Sequence, residues 1–406
     1  MNIGIFTDTY FPQISGVASS IATLEKELSA RGHRVYIFTS TDKAADPEQE
    51  EGKVFRFSSL AVGFVPERRL AYAGIRRATK LMKELNIEIV HTHTEFTMGC
   101  LGKHLAHKCK LPHIHTYHTM YEDYVHYIAR GKLLSPKMVG RLTKWFCRGA
   151  DAVIAPTEKV KTYLRRYKVS EPIYVIPTGV SVKQFKRSEA SLVDVLALRK
   201  KLGINESDKV IISIGRMAEE KNMEALLYAI KSLENELDHV KTVMVGDGPV
   251  RKSLEALAVS LGVSEHVRFT GAVEWNQIHH YYHLGDLFVS ASTTEAQGLT
   301  YIEAMASGCI VVAKSDPSIK RIVLDGTTGF VFKEDEDLGP LLRRLLHSSH
   351  LTKVRKAAKK QIQPLTAEAF GAKVEQTYFE LAKNKKIENS SPKLMQAILY
   401  RKEQSL

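Results

Sequence analysis

Cysteine is scarce in this chain. The four present (Cys100, Cys109, Cys147 and Cys309) show no paired spacing. That excludes a disulfide framework or a Cys-x-x-Cys zinc site and fits reduced thiols. Long apolar runs are missing too: none reaches the roughly 18 residues of a spanning helix. Met1-Asn-Ile-Gly-Ile-Phe enters a strand directly, with no basic segment ahead of an apolar core, so no signal peptide is expected. No repeat with a period of about 20–50 residues is visible. Acidic residues are in deficit, 45 against 58 Lys and Arg, a net charge of +13. Such a balance points to an anionic partner, nucleic acid or a membrane surface. RNP, KH, zinc-finger and helix-turn-helix texts are all absent, so nucleic acid is not expected. Reduced thiols lead to the expectation of a cytoplasmic protein, with any membrane contact peripheral.

What is present is an alternation of short apolar runs with helical stretches. The 406 residues, 44% hydrophobic and 25% charged, have the composition of a soluble globular protein. That length predicts two domains of roughly 180–200 residues. The boundaries read as 1–182 for a first Rossmann-like domain and 183–205 for a charged linker with a short helix. A second Rossmann-like domain takes 206–382, and a basic tail at 383–406 crosses back to the first.

The central stretch is Asp286 to Ala313. Leu287 to Ala291 reads as a buried strand, Tyr301-Ile-Glu-Ala-Met-Ala as a helix, and Ile310-Val-Val as the next strand. Glu295 stands at a strand's carboxyl end, where open α/β sheets bind ligands. Glu303 follows eight residues on, about two helical turns, on the same side of the helix. Two such carboxylates suit a ligand with two sets of hydroxyls, such as a sugar and a ribose. Taken alone, such a pair reads more readily as two solvated helix-end charges.

Other strand ends carry chemistry as well. Gly16 lies in a strand–loop–helix step, where amides can meet a phosphate, but the text is not G-x-G-x-x-G. Arg216 and Lys221 flank a short loop after Lys209-Val-Ile-Ile-Ser-Ile-Gly215 and can grip a diphosphate from two sides. Gly246 allows backbone to approach a nucleotide closely. His91, His93 and His118 end two strands. No Cys or carboxylate spacing completes a metal set, and such histidines read as hydrogen-bonded surface residues. Asp335-Glu-Asp337 is a literal D-x-D, read as a surface turn.

These texts resemble the retaining GT-B glycosyltransferases of the glycogen-synthase-like type, family 4. Glu295 to Glu303 is similar to the family's E-x7-E signature, with E-A-Q-G-L in place of the usual E-G-F-G-L. Gly215-Arg-x4-Lys221-Asn resembles its G-R-x4-K text. The resemblance implies an α/β architecture of two doubly wound, Rossmann-like domains facing across a cleft. It implies that Glu295 contacts the donor sugar, that the amides of Ala296, Gln297, Gly298 and Leu299 hold its hydroxyls, and that Glu303 binds the ribose. Arg216 and Lys221 would neutralise the leaving nucleoside diphosphate, with no metal and no other cofactor. Gly16, Gly215, Gly246 and Gly271 would line the donor, and His118 the sugar site. Asp123, with Tyr121 beside it, either faces the acceptor hydroxyl or caps a helix.

Thr7-Asp-Thr-Tyr-Phe-Pro-Gln-Ile-Ser-Gly16 and Thr116-Tyr-His-Thr-Met-Tyr-Glu-Asp123 are similar to bacterial diacylglycerol glucosyltransferases. That implies glucose transfer from UDP-glucose to diacylglycerol. Two alternatives stay open: a soluble or already glycosylated acceptor, and a sugar-nucleotide epimerase or a non-catalytic binding protein. A lipid acceptor agrees with where the charge sits. Residues 101–170 hold fourteen Lys and Arg against four Asp and Glu. At 100° per residue, Lys137, Arg141, Lys144 and Arg148 fall within about 60° of one another. Met138, Leu142, Trp145 and Phe146 are expected on the adjoining face, as in an interfacial helix on anionic lipid. An ordinary amphipathic helix with a wet basic face is the other reading.

Overall fold

A computed structural model describes residues 1–13, 15–62, 65–71, 74–118, 136–186 and 189–390. The chain divides into two units. The first is Met1–Gly179 with a return segment from Glu368, and the second is Val180–Ala367.

The first unit holds a seven-stranded parallel sheet in the order β3-β2-β1-β6-β7-β8-β9. Its strands are β1 (Asn2–Phe6), β2 (Arg34–Ser40), β3 (Val54–Phe57), β6 (Ile89–Thr92), β7 (His113–Thr116), β8 (Ala152–Ala155) and β9 (Ile173–Val175). Ile3 to Phe6 is wholly buried, as a strand with helices on both faces must be. A hairpin of β4 (Ser59–Val62) and β5 (Val65–Ala71) stands outside this sheet and carries no signal we read in the sequence. Strand order reverses between β1 and β6, so the ligand end of this unit lies beyond those two strands.

The second unit holds six parallel strands in the order β12-β11-β10-β13-β14-β15. These are β10 (Lys209–Ile214), β11 (Val240–Val245), β12 (Val267–Phe269), β13 (Leu287–Ser290), β14 (Ile310–Lys314) and β15 (Phe330–Phe332). Here the order reverses between β10 and β13. The loop after β10 carries Arg216 and Lys221, and the loop after β13 carries Glu295, so both reach the switch point.

Three boundaries differ from expectation. The first unit ends at Gly179 rather than 182. The 183–205 stretch holds a helix as expected, Glu189–Lys201, but it belongs to the second unit, where Phe185, Val195 and Ile204 are buried in the core. The return begins at Glu368, well before 383. Phe370, Val374, Tyr378 and Leu381 of the helix Ala367–Ser390 pack with Ile3, Ile21, Leu24 and Leu28. Their spacing is that of one helical face, so residues 368–382, expected within the second domain, belong to the first.

Candidate active site

In the second unit the strand-end loops touch backbone to backbone. Gly246 has φ +134°, and a Cβ there would lie 2.0 Å from the Gly215 carbonyl oxygen. Only glycine fits both demands. The Gly246 N–H donates to the Gly271 carbonyl at 3.0 Å, and the Gly215 N–H to that of Val245, also at 3.0 Å. Three of the four glycines singled out in the sequence therefore sit at one place.

The charged groups are paired. Lys221 Nζ donates to Glu295 Oε1 at 2.7 Å, and both side chains are largely buried. Arg216 Nη2 donates to Glu220 Oε1 at 3.0 Å; the guanidinium is half exposed and Glu220 buried. The Glu220 carbonyl accepts from the Thr293 N–H at 3.0 Å, tying the β10 loop to the β13 loop. Sequence reasoning passed over Glu220, although its position four residues after Arg216 was a signal.

The helix Leu299–Ser307 starts at Gly298, which has φ +77°. A Cβ there would meet the Tyr301 ring at 2.3 Å. No side chain caps this helix and no acidic residue lies in its first turn, so its N-terminal dipole is uncompensated by side chains. Gln297, where the family usually has Phe, is buried. Half-buried Glu303 accepts from the Tyr282 hydroxyl at 2.6 Å. Burial pushes the Glu303 carboxyl above its ordinary range, and the Tyr282 hydrogen bond pulls partly back. Tyr282 lies 21 residues away, on the helix Ile278–Leu284, and no local pattern announces it.

In the first unit, His118 follows β7. Its Nε2 lies 2.9 Å from Nδ1 of His93, with the two rings stacked. The strand-end histidines are hydrogen-bonded as expected, but they are not on the surface. His91 and His93 are buried, and His91 bonds to the Tyr378 hydroxyl and to Thr116 Oγ1 at 2.6 and 2.7 Å. The return helix and the parallel sheet cover them. Among the described residues no group of three or more His, Cys, Asp or Glu could hold a metal. The D-x-D turn is at the surface, as expected, with Glu336 and Asp337 exposed; Asp335 accepts from Lys314 at 2.8 Å and from Asn222 at 2.9 Å.

Gly16 opens the helix Gly16–Ala30, with Ser15 Oγ accepting from the Ala18 N–H at 3.1 Å. It is exposed, and a Cβ would meet nothing within 4 Å. The backbone thus does not demand glycine there. Asp8, just beyond β1, is a residue the sequence reading missed. Its oxygens accept from Thr94 Oγ1 and Thr97 Oγ1 at 2.6 Å each, and from the Met98 N–H at 2.9 Å. It caps the helix Thr97–Cys109, whose own N-cap, Phe96, offers no side-chain acceptor. Tyr121 and Asp123 lie outside the described residues.

The helix Pro136–Cys147 has a split outer surface. Lys137, Arg141, Lys144 and Arg148 are all exposed. Beside them stand three exposed apolar side chains, Met138 at 44%, Leu142 at 55% and Trp145 at 58%. Phe146 is not among these: at 1% exposure it packs edge-on against His115 in the core, next to buried Val139 and Cys147. Adjacent residues on a helix are 100° apart, which is enough to put Trp145 outside and Phe146 inside.

Comparison with known proteins places the chain. The profile described as Glycosyltransferase Family 4 matches residues 14–184, and that described as Glycosyl transferases group 1 matches 194–363. An alpha-monoglucosyldiacylglycerol synthase of Streptococcus pneumoniae is 42% identical over 381 residues, 94% of this chain and 86% of the relative. A protein of the same name from Acholeplasma laidlawii is 32% identical over 404 residues, 95% of this chain and 99% of the relative. Among solved structures, Anabaena Alr3699/HepE in complex with UDP aligns with a TM-score of 0.76 at 18% identity, covering 94% of this chain and 100% of that one. Sucrose-phosphate synthase from Thermosynechococcus elongatus aligns with a TM-score of 0.76 at 20% identity, over 94% and 98% of the two chains. With both profiles matched in sequence order and a Rossmann-like parallel sheet in each unit, the chain belongs to the family 4 glycosyltransferases and is closely related to the bacterial alpha-monoglucosyldiacylglycerol synthases.

Proposed function

We propose that the protein transfers glucose from UDP-glucose to diacylglycerol, with retention at the anomeric carbon, at the surface of an anionic membrane. The observation that carries the donor half is the Lys221–Glu295 ion pair at the β10/β13 switch point, with Arg216 held by Glu220 in the same β10 loop. The acceptor half rests on likeness to two alpha-monoglucosyldiacylglycerol synthases.

In this reading the bond from the anomeric carbon to the β-phosphate oxygen breaks, and its electron pair leaves with UDP. Arg216 and Lys221 stabilise the charge that develops there, a contribution that grows toward the transition state. The diacylglycerol hydroxyl oxygen bonds to the same face of the sugar, and its proton passes to the departing phosphate. Glu295 and the amides of Ala296 to Leu299 hold the sugar hydroxyls. Glu303 holds the ribose, and Gly16, Gly246 and Gly271 let backbone approach the nucleotide.

No helix among the described residues is long and apolar enough to cross a membrane. Contact with lipid is assigned to the helix Pro136–Cys147, where basic and apolar side chains are exposed side by side, and we place this contact on the cytoplasmic face. Incubation with labelled UDP-glucose and vesicles of diacylglycerol and phosphatidylglycerol tests the proposal. Labelled alpha-glucosyl-diacylglycerol is expected. Label found only in a soluble acceptor, or only in an epimerised sugar nucleotide, would refute it.

A further inference from the structure

We infer that His93 is a positioning residue: it holds His118 in the Nδ1–H form, so that His118 meets the bound ligand as a hydrogen-bond donor. This rests on the reading of His118 as a residue of the sugar site.

The argument is one of counting hydrogens. Burial, with neighbouring His91, His118 and His115, keeps His93 well below the ordinary imidazole range, and burial with His115 nearby pushes His118 down to about 3. Both rings are therefore neutral near pH 7 and each carries one N–H. One of the two nitrogens in the 2.9 Å contact between His93 Nδ1 and His118 Nε2 must hold a hydrogen. Suppose it is His118 Nε2. His93 Nδ1 then accepts, and the His93 hydrogen must sit on Nε2. Among the described residues that atom is buried and has no hydrogen-bond partner. A buried orphan N–H is the costlier defect, while an unpaired acceptor is better tolerated. The other arrangement leaves only a bare lone pair at His93 Nε2. His93 Nδ1–H then donates, His118 Nε2 accepts, and the His118 hydrogen sits on Nδ1.

The surroundings fix His93 in this role. Its ring lies tilted against His91, centroids 4.0 Å apart, and stacks on His118 at 5.1 Å. His91 is itself held at both nitrogens, by Tyr378 and Thr116, so the stack has little freedom to turn. His118 is only half-buried and its Nε2 is taken up by His93, so Nδ1 is the ring nitrogen through which it can meet a ligand. With Nε2 occupied and Nδ1 protonated, His118 has no lone pair with which to take a proton. It can donate to a sugar hydroxyl or ring oxygen, and the acceptor's proton must go elsewhere, as the transfer to the departing phosphate requires.

The test is a direct reading of the tautomer. In full-length protein labelled with 15N-histidine, two-bond 1H–15N correlation at pH 7 should show His118 protonated at Nδ1. His93→Leu should move that proton to Nε2, lower kcat for glucose transfer by about ten- to hundredfold and leave KM for UDP-glucose within about twofold. His93→Asn, whose side-chain amide can stand in for the Nδ1–H donor, should restore most of kcat. An Nε2–H tautomer at His118 in the wild type would overturn the inference, as would an unchanged kcat in a folded His93→Leu variant. The wild-type spectrum decides the tautomer even if the leucine variant fails to fold. A wild type that transfers no glucose would defeat the proposed function and leave the spectrum to judge this inference.

Discussion

Lys221 Nζ and Glu295 Oε1 lie 2.7 Å apart although 74 residues separate them in sequence. The pair joins the loop after β10 to the loop after β13, and in the proposed function it sets the cation assigned to the diphosphate against the carboxylate assigned to the sugar. Each holds the other where its ligand group would sit. Lys221→Ala should therefore lower kcat by about 10²–10³, roughly 2–4 kcal/mol of transition-state stabilisation. It also leaves Glu295 without its ion pair, so thermal stability should fall as well. In a double-mutant cycle with Glu295→Gln the two losses should be non-additive. An unchanged rate at saturating UDP-glucose would show that the cation does not meet the diphosphate.

Glu303 should show a trade between stability and affinity. Its carboxyl is raised by burial, so the folded protein holds this proton more tightly than the unfolded chain. The stabilising effect of that protonation is fully present below the ordinary carboxylate range and is lost as pH rises through the raised folded value. At pH 8 the buried charge is a cost. Glu303→Gln should raise Tm at pH 8 relative to wild type, and the gain should shrink toward pH 4. The same variant should weaken UDP binding in isothermal titration. A Tm difference that is constant across this range would contradict the burial argument.

The helix Pro136–Cys147 predicts sedimentation with anionic vesicles. Each cation near an anionic leaflet contributes about 1 kcal/mol, so Lys137, Arg141, Lys144 and Arg148 together give roughly a thousandfold in partitioning. Changing all four to Gln should abolish binding to phosphatidylglycerol vesicles and leave UDP binding intact. High salt should release the wild type. Trp145 is a built-in reporter because the chain has only 2 Trp. In a Trp275→Phe background its emission should shift to the blue on anionic vesicles and stay unchanged on neutral ones.

Two glycines should respond in opposite ways. Gly246→Ala puts a methyl group 2.0 Å from the Gly215 carbonyl oxygen at a positive φ, and should destabilise the second unit severely. Gly16→Ala meets nothing within 4 Å and should leave Tm unchanged or raise it by up to about 1 kcal/mol of stability. If Gly16 lets backbone approach the diphosphate, that same variant should raise KM for UDP-glucose. Thermal melts beside steady-state kinetics separate the two effects.

Much of this arrangement was legible in the sequence, because the groups proposed to meet the ligand sit at strand ends and strand ends are local patterns. Arg216, Lys221, Glu295 and Gly298 could be placed by reading from a buried run into the polar residues that follow. Their partners could not. Asp8 caps a helix that begins almost ninety residues later, and Tyr282 reaches Glu303 from another helix. Such contacts depend on strand order, and periodicity carries no strand order. The histidines were misjudged for the same reason: a polar tip on a short strand looks exposed until a helix from the far end of the chain is laid over it. Phe146 was misplaced because both faces of its helix are apolar in part, and only packing tells which aromatic turns inward.

The ends of the second unit meet. The Val180 N–H donates to the Leu365 carbonyl at 3.0 Å, and the Ala367 N–H to the Val180 carbonyl at 2.9 Å. In genetic terms residues 180–367 are a cassette spliced into another domain, with entry and exit on one short ladder. A protease that nicks the chain at either junction would leave the pieces joined through the other. A cut at both would still leave the Ala367–Ser390 helix seated among Ile3, Ile21 and Leu24, so the first unit would survive as a two-piece complex.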